Sequence, residues 1–161
     1  MTGAQPDDRR YAPAAARNRD RIAEEVDRLA PSMGRALEIA SGSGEHVIEF
    51  AARLPGISWQ PSDPDPDQRA SISAWTHASG RDNISPPRAM VVGRPGGAAH
   101  EARVDLVIAI NLLHLIPVAA MEAAFDGFAR ILTPGGVLIY YGPFLRDGRA
   151  TSAGDEAFDA E

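Results

Sequence analysis

Hydrophobic and polar positions alternate along this chain with two periods, and the periods take turns. Met1 to Arg10 is a polar tail, and residues 11–161 read as one domain. Ala14 to Ala30 repeats at helical spacing, with Ile22, Val26, Leu29 and Ala30 on one face. A short apolar strand ending at Ile39 runs into a helix carrying Val47, Ile48, Phe50, Ala51 and Leu54. Ile57 to Pro61 reads as a second strand, and Asp67 to Ser79 as a helix with Ile72 and Trp75. Pro86 to Val92 is a weak third strand, followed by a Gly/Pro loop over Gly93 to Ala99. Val104 to Ile110 suits a central parallel strand, since both of its faces are apolar. Pro117 to Leu132 is a helix with proline at its start and Phe125, Phe128, Ile131 and Leu132 as core candidates. Thr133-Pro134-Gly135-Gly136 ends it, and Val137 to Tyr141 is the fifth strand. Alternation of this kind predicts an α/β fold with a doubly wound, mostly parallel Rossmann-like sheet, ligands lying at the carboxyl ends of the strands.

The first such end carries the strongest chemical signal. Glu38-Ile39-Ala40-Ser41-Gly42-Ser43-Gly44 joins a strand bearing one acid to a turn of small residues and then to a helix. Glycines let the backbone approach a ligand, and the helix start leaves N–H groups facing the same space. A dinucleotide site needs G-x-G-x-x-G, and the third place here is Val47. A phosphate P-loop needs a lysine, and the chain has none. The turn resembles motif I of the class I S-adenosylmethionine (SAM)-dependent methyltransferases, an acid before G-x-G-x-G, with Ala40 in the first glycine place. SAM carries an amino acid and a nucleoside but no phosphate, so the resemblance requires no lysine.

About 20 residues beyond the turn, nucleoside-binding α/β folds place a carboxylate on the ribose hydroxyls, and Asp63 ends the second strand at that separation. Asp65 and Asp67 behind it suit a helix N-terminus. The fourth strand exits into Asn111-Leu112-Leu113-His114. Asn111 offers a donor and an acceptor for the amino-acid end of SAM. Histidine is the side chain whose ordinary pKa lies near neutrality, so His114 is the candidate base, against the alternative of a histidine packed under a loop. The fifth strand exits into Tyr140-Tyr141-Gly142-Pro143-Phe144, where one tyrosine at most lines a pocket. Spacing assigns Trp59 and Trp75 to the core.

Several longer stretches sharpen the resemblance. Tyr11-x-Pro13-Ala14-Ala15-x-Arg17-Asn18, Leu37 to His46, Trp59-Gln60-Pro61-Ser62-Asp63-Pro64-Asp65, Asn111 to His114 and Tyr141 to Phe144 resemble the family whose animal member is called methyltransferase-like protein 26. The resemblance implies a class I fold and SAM as cofactor, with Glu38, Ala40 to Gly44, Asp63 and Asn111 around it. It supplies no substrate. Two departures stand out: Val91 occupies the place of an acid that holds adenine, and five strand patterns are present where the class has seven.

Composition narrows the partners. Sixteen basic residues, all arginine, are dispersed through a chain of net charge −6, so nucleic acid is not the expected substrate and a small molecule is. Cysteine is absent, and the four histidines lack ligand spacing, so no metal is expected. The 161 residues hold no long apolar run, which points to a cytoplasmic protein without a membrane partner. An apolar fifth strand at the sheet edge invites self-association. The expected function is methyl transfer from SAM to a small molecule, with a catalytically silent SAM-binding scaffold as the alternative and a nucleotide-dependent oxidoreductase disfavoured by Val47.

Overall fold

The computed structural model describes residues 8–93, 102–112, 115–144, 147 and 149. Eight elements follow in the order α1 (Pro13–Leu29), β1 (Gly34–Ile39), α2 (Glu45–Arg53), β2 (Ile57–Pro61), α3 (Pro66–Ser79), β3 (Val104–Ile110), α4 (Val118–Ile131) and β4 (Leu132–Tyr141). The four strands are all parallel and lie in the order β2-β1-β3-β4. The α/β prediction therefore holds.

Each face of the sheet buries its own cluster, which is what makes the fold doubly wound. On one face Ile22, Ala23 and Val26 of α1, Val47, Phe50 and Ala51 of α2 and Ile72 of α3 cover Ala36, Trp59, Leu106 and Ile108. On the other, Ala124, Phe128 and Ile131 of α4 cover Leu37, Ile39, Val107 and Ala109. β1 is flanked by β2 on one side and by β3 on the other, so the chain reverses its winding between β1 and β3. Ile39 pairs with Ala109 there, and the exits of both strands open onto one crevice.

Several expectations need correction, among them Phe125 of α4, which is 38% exposed rather than core. The third strand does not form a ladder: residues 84–88 make only two isolated parallel bridges, Trp59 with Ile84 and Ser62 with Arg88. Ser85 N–H still donates to the Trp59 carbonyl at 2.8 Å and Arg88 N–H to that of Pro61 at 3.0 Å. Between them Pro86 and Pro87 have no N–H to offer, which confines the segment to a broken edge. Leu29 is 45% exposed rather than core, because α1 ends there and the extended Ala30 packs in its place. β4 begins at Leu132, directly after α4; Val104 pairs with Leu132, the register then jumps to Leu106 with Val137, and the Thr133–Gly136 turn is absorbed as a bulge. Among the described residues no helix is long and apolar enough to cross a membrane.

Candidate functional site

The turn after β1 is left-handed at three places, Ala40 (φ 51°), Gly42 (57°) and Gly44 (95°). The two glycines serve different ends. A Cβ on Gly42 would meet nothing within 4 Å, so that side of the turn faces open space. A Cβ on Gly44 would stand 2.8 Å from the Ile72 Cα, so Gly44 lets α2 begin against α3. Close helix contact is thus achieved without a glycine at Val47, which is fully buried core. Ala40 adopts the glycine-like conformation that its place in the motif demands.

The turn is fastened to the end of β2. Ser41 N–H donates to the Ser62 carbonyl at 2.8 Å, the Ser41 hydroxyl accepts from Ser62 N–H at 3.1 Å, and the Ser62 hydroxyl donates to the Glu38 carbonyl at 2.7 Å. Asp63, 6% exposed, accepts from Gly42 N–H at 3.0 Å through Oδ2 and from Asp65 N–H at 2.9 Å through Oδ1. The second acid of the motif pair therefore touches the first motif directly. Asp65 caps α3 by accepting from Asp67 N–H at 2.9 Å, as its position in the sequence suggests. The hydroxyls of Ser41 and Ser43 are engaged within the protein, so a ligand at this turn would meet their backbone.

Glu38 is the least satisfied group in the site. It is 2% exposed, and its Oε2 has no hydrogen-bond partner among the described residues. Burial pushes its carboxyl up to about 8; the Ser41 hydroxyl pulls it down and the Asp63 charge adds to the rise. At neutral pH the side chain holds its proton. A buried polar atom left without a partner among the described residues calls for one beyond them.

β3 delivers Asn111 to the same crevice. Its φ is 52°, a conformation asparagine tolerates, and its N–H donates to the Tyr141 carbonyl at 2.7 Å, tying the β3 and β4 exits together. Tyr140 turns toward the α4 side and meets Phe144 edge-on at 5.1 Å, while Tyr141 is 43% exposed. Only one tyrosine faces a helix layer, as expected. His114 lies outside the described residues, as does the Arg94-Pro95-Gly96-Gly97 run. Val91 is described, and 42% exposed.

Polar residues that the sequence pattern passed over complete the surroundings. Glu45, 4% exposed, accepts from the Ser43 hydroxyl at 2.9 Å and from Ala12 N–H at 2.7 Å. Ser71, wholly buried, donates to the Ser43 carbonyl at 2.7 Å. His46 lies 3.1 Å from the Asn18 amide oxygen and stacks on Phe50; burial holds its pKa below the usual histidine value, with Glu45 opposing that and Arg19 adding to it. Trp75 is not core: its Nε1 donates to the Arg10 carbonyl at 2.9 Å, and Tyr11 meets its ring edge-on at 5.1 Å. A signal for Glu45 existed in the sequence, since an acid at a helix start favours the N-terminal dipole. Ser71 had none.

The same architecture recurs in solved methyltransferase structures. An O-methyltransferase family protein from Burkholderia thailandensis superposes with a TM-score of 0.73 at 20% identity, over 87% of this chain and 42% of that one. A putative S-adenosyl-L-methionine-dependent methyltransferase from Methanococcus maripaludis gives 0.69 at 19% identity, over 92% and 64%. A glycopeptide N-methyltransferase complexed with sinefungin gives 0.63 at 18%, over 76% and 49%. The chain thus spans less than two thirds of the length of each of these proteins, and the likeness is one of fold. At the level of sequence, the family model described as "Protein of unknown function (DUF938)" matches residues 9–161, nearly the whole chain, and the chain therefore belongs to the DUF938 family.

Proposed function

We propose that this chain is a methyltransferase domain that binds SAM over the Gly42 turn and directs its methyl group to a small molecule. The single observation that carries the proposal is the pairing of an open Gly42 with two buried acids, Glu38 with an unsatisfied oxygen and Asp63 bonded to the Gly42 N–H, at the point where the sheet reverses its winding. The groups match the cofactor's chemistry. SAM has a cationic amine, a ribose diol and no phosphate; the site offers acids, backbone N–H groups and no lysine. When bound, SAM supplies a methyl group on a sulfonium, open to in-line displacement by an acceptor.

In this reading Glu38 gives its free oxygen to the ammonium group, and the proton it holds at neutral pH leaves as that cation arrives. Asp63 keeps the Gly42 N–H oriented and accepts ribose hydroxyls with its remaining lone pairs. Asn111 bonds the amino-acid end of the cofactor, and His114 removes a proton from the acceptor. The chain's contribution to rate is chiefly positioning, since holding two reactants in near-attack geometry alone removes several kcal/mol, up to about 11, from a barrier. Kinship with the methyltransferase-like protein 26 family and a cytoplasmic setting belong to the same proposal. Solved neighbours crystallised with SAM, sinefungin and S-adenosylhomocysteine support the choice of cofactor.

A second reading, a SAM-binding scaffold without catalysis, is favoured by the exposed apolar Val91, whose side chain cannot accept a hydrogen bond from adenine. Calorimetry on the purified chain with SAM, S-adenosylhomocysteine and NAD separates the cofactors, and a methyl-release assay separates enzyme from scaffold. Binding of SAM and its demethylated product without NAD is the expected outcome. Binding of NAD alone would return the site to the dinucleotide class.

A further inference from the structure

The Tyr11–Asn18 stretch has no task in the cofactor site, yet the backbone just before and within it is tied to that site by two relays. Arg10 N–H donates to the Ser71 hydroxyl at 2.8 Å, and that hydroxyl donates to the Ser43 carbonyl at 2.7 Å. Ala12 N–H donates to Glu45 Oε2 at 2.7 Å, and the same oxygen accepts from the Ser43 hydroxyl at 2.9 Å. Ser43 is the residue between Gly42 and Gly44. It is therefore held at its main chain by one relay and at its side chain by the other, and each relay ends on the backbone of a strap formed by residues 9–12.

The strap's outer contacts do not explain its placement. The Arg10–Asp67 ion pair is 50% and 68% exposed, and pairs of that kind contribute little. Tyr11 and Arg9 pack on the Trp75 ring at the surface, and the Trp75 Nε1 donates to the Arg10 carbonyl there at 2.9 Å, an exposed bond. The buried ends are stronger: one acceptor is a carboxylate 4% exposed, the other a hydroxyl with no exposure. Losing a partner there leaves a buried polar group unsatisfied. The glycines on either side of Ser43 allow the turn many conformations, so anchoring Ser43 selects the one that leaves Gly42 open.

We propose that Ser71 and Glu45 are positioning residues that couple docking of the strap to the shape of the Gly42–Gly44 turn, so that cofactor binding and strap closure stabilise each other. The inference rests on the SAM reading above. It makes the strap a reporter and a regulator of the site: whatever lifts residues 9–12 weakens the cofactor, and by linkage the cofactor holds the strap down by the same factor.

Amide hydrogen exchange at Arg10 and Ala12 in the full chain, with and without saturating SAM, is the primary test. Exchange at both amides slows on the order of ten-fold with SAM, within the usual span of coupling between two sites. Ser71→Ala and Glu45→Ala weaken SAM by a similar factor in calorimetry. Glu45→Gln, which keeps an oxygen to accept from Ala12 and Ser43, retains most of the affinity, although it loses the charge that faces Arg19 at 3.8 Å just as alanine does. A merely structural role would leave strap exchange indifferent to SAM, and that measurement needs no variant to fold. If SAM binds the wild type while strap exchange is unchanged and both alanine variants bind it equally well, the coupling is wrong and the cofactor assignment stands. If SAM does not bind the wild type, the cofactor assignment fails and the coupling falls with it.

Discussion

Replacing Glu38 by glutamine isolates the most unusual electrostatic feature of the site. The folded carboxyl titrates at about 8 against an ordinary value of 4.5, with burial as the first cause. The folded value lies above the unfolded one, so between these limits the native chain holds a proton that the unfolded chain has released. This group's contribution to stability is then greatest below about pH 4.5 and falls as pH rises toward 8. At about 1.4 kcal/mol for each tenfold change in acidity, the full loss is about 5 kcal/mol, a third or more of the usual stability of a domain. Between about pH 5 and pH 8.5 the wild type should lose about 4 kcal/mol from this group alone. Glu38→Gln carries no such slope and should gain on the wild type as pH rises. Urea unfolding of both proteins across that range reads the difference directly. Parallel pH profiles would refute the argument, because they would mean that Glu38 is as well solvated folded as unfolded. The same proton predicts that SAM binding near neutral pH releases close to one proton, visible as a dependence of the calorimetric heat on the buffer's ionisation enthalpy.

Asp63→Ala removes an acceptor from the Gly42 and Asp65 N–H groups, so it should weaken SAM by roughly 1.5–3 kcal/mol in calorimetry and lower stability by about 1–3 kcal/mol; unchanged affinity would reduce Asp63 to a loop fastener. Ala40→Gly relieves a left-handed alanine worth roughly 1–2 kcal/mol, against a glycine entropy cost of about 0.5–1, and should leave the protein about 0.5 kcal/mol more stable by urea unfolding; a clear loss would mean that the Ala40 methyl packs productively. Among the described residues β4 is an edge of the four-strand sheet, and its half-buried Val137 to Tyr140 should draw a second copy, giving a mass that rises with concentration in light scattering; a constant monomer would show the edge to be protected.

Local signals in the sequence carried much of this far. The turn from Glu38 to Gly44 is contiguous, and Asp63 lies one strand and one helix away, so spacing alone placed it near the turn. Asn111 was found by the same rule, as the residue at a strand exit. Where tertiary context decides, the pattern fell short. Pro86 and Pro87 fit an apolar run but cannot sustain a ladder, and Trp75 fits a helix face while its indole N–H is taken by Arg10. The state of Glu38 depends on how completely the folded chain buries it, which no periodicity encodes. Ser71 meets Ser43 across 28 positions, and a serine on a helix gives no hint of that partner. His114 lies outside the described residues, and its role is a proposal from the sequence alone.

In the function proposed, SAM lies over the Gly42 turn, between the exits of β1 and β3. Titrating SAM into isotope-labelled protein and following the backbone amides tests it most directly. The amides of Ala40 to Gly44, Asp63 and Asn111 should shift together and saturate at one concentration. Shifts confined to another surface, such as the cleft lined by Thr76, His77 and Arg81, or no shifts at all, would contradict it.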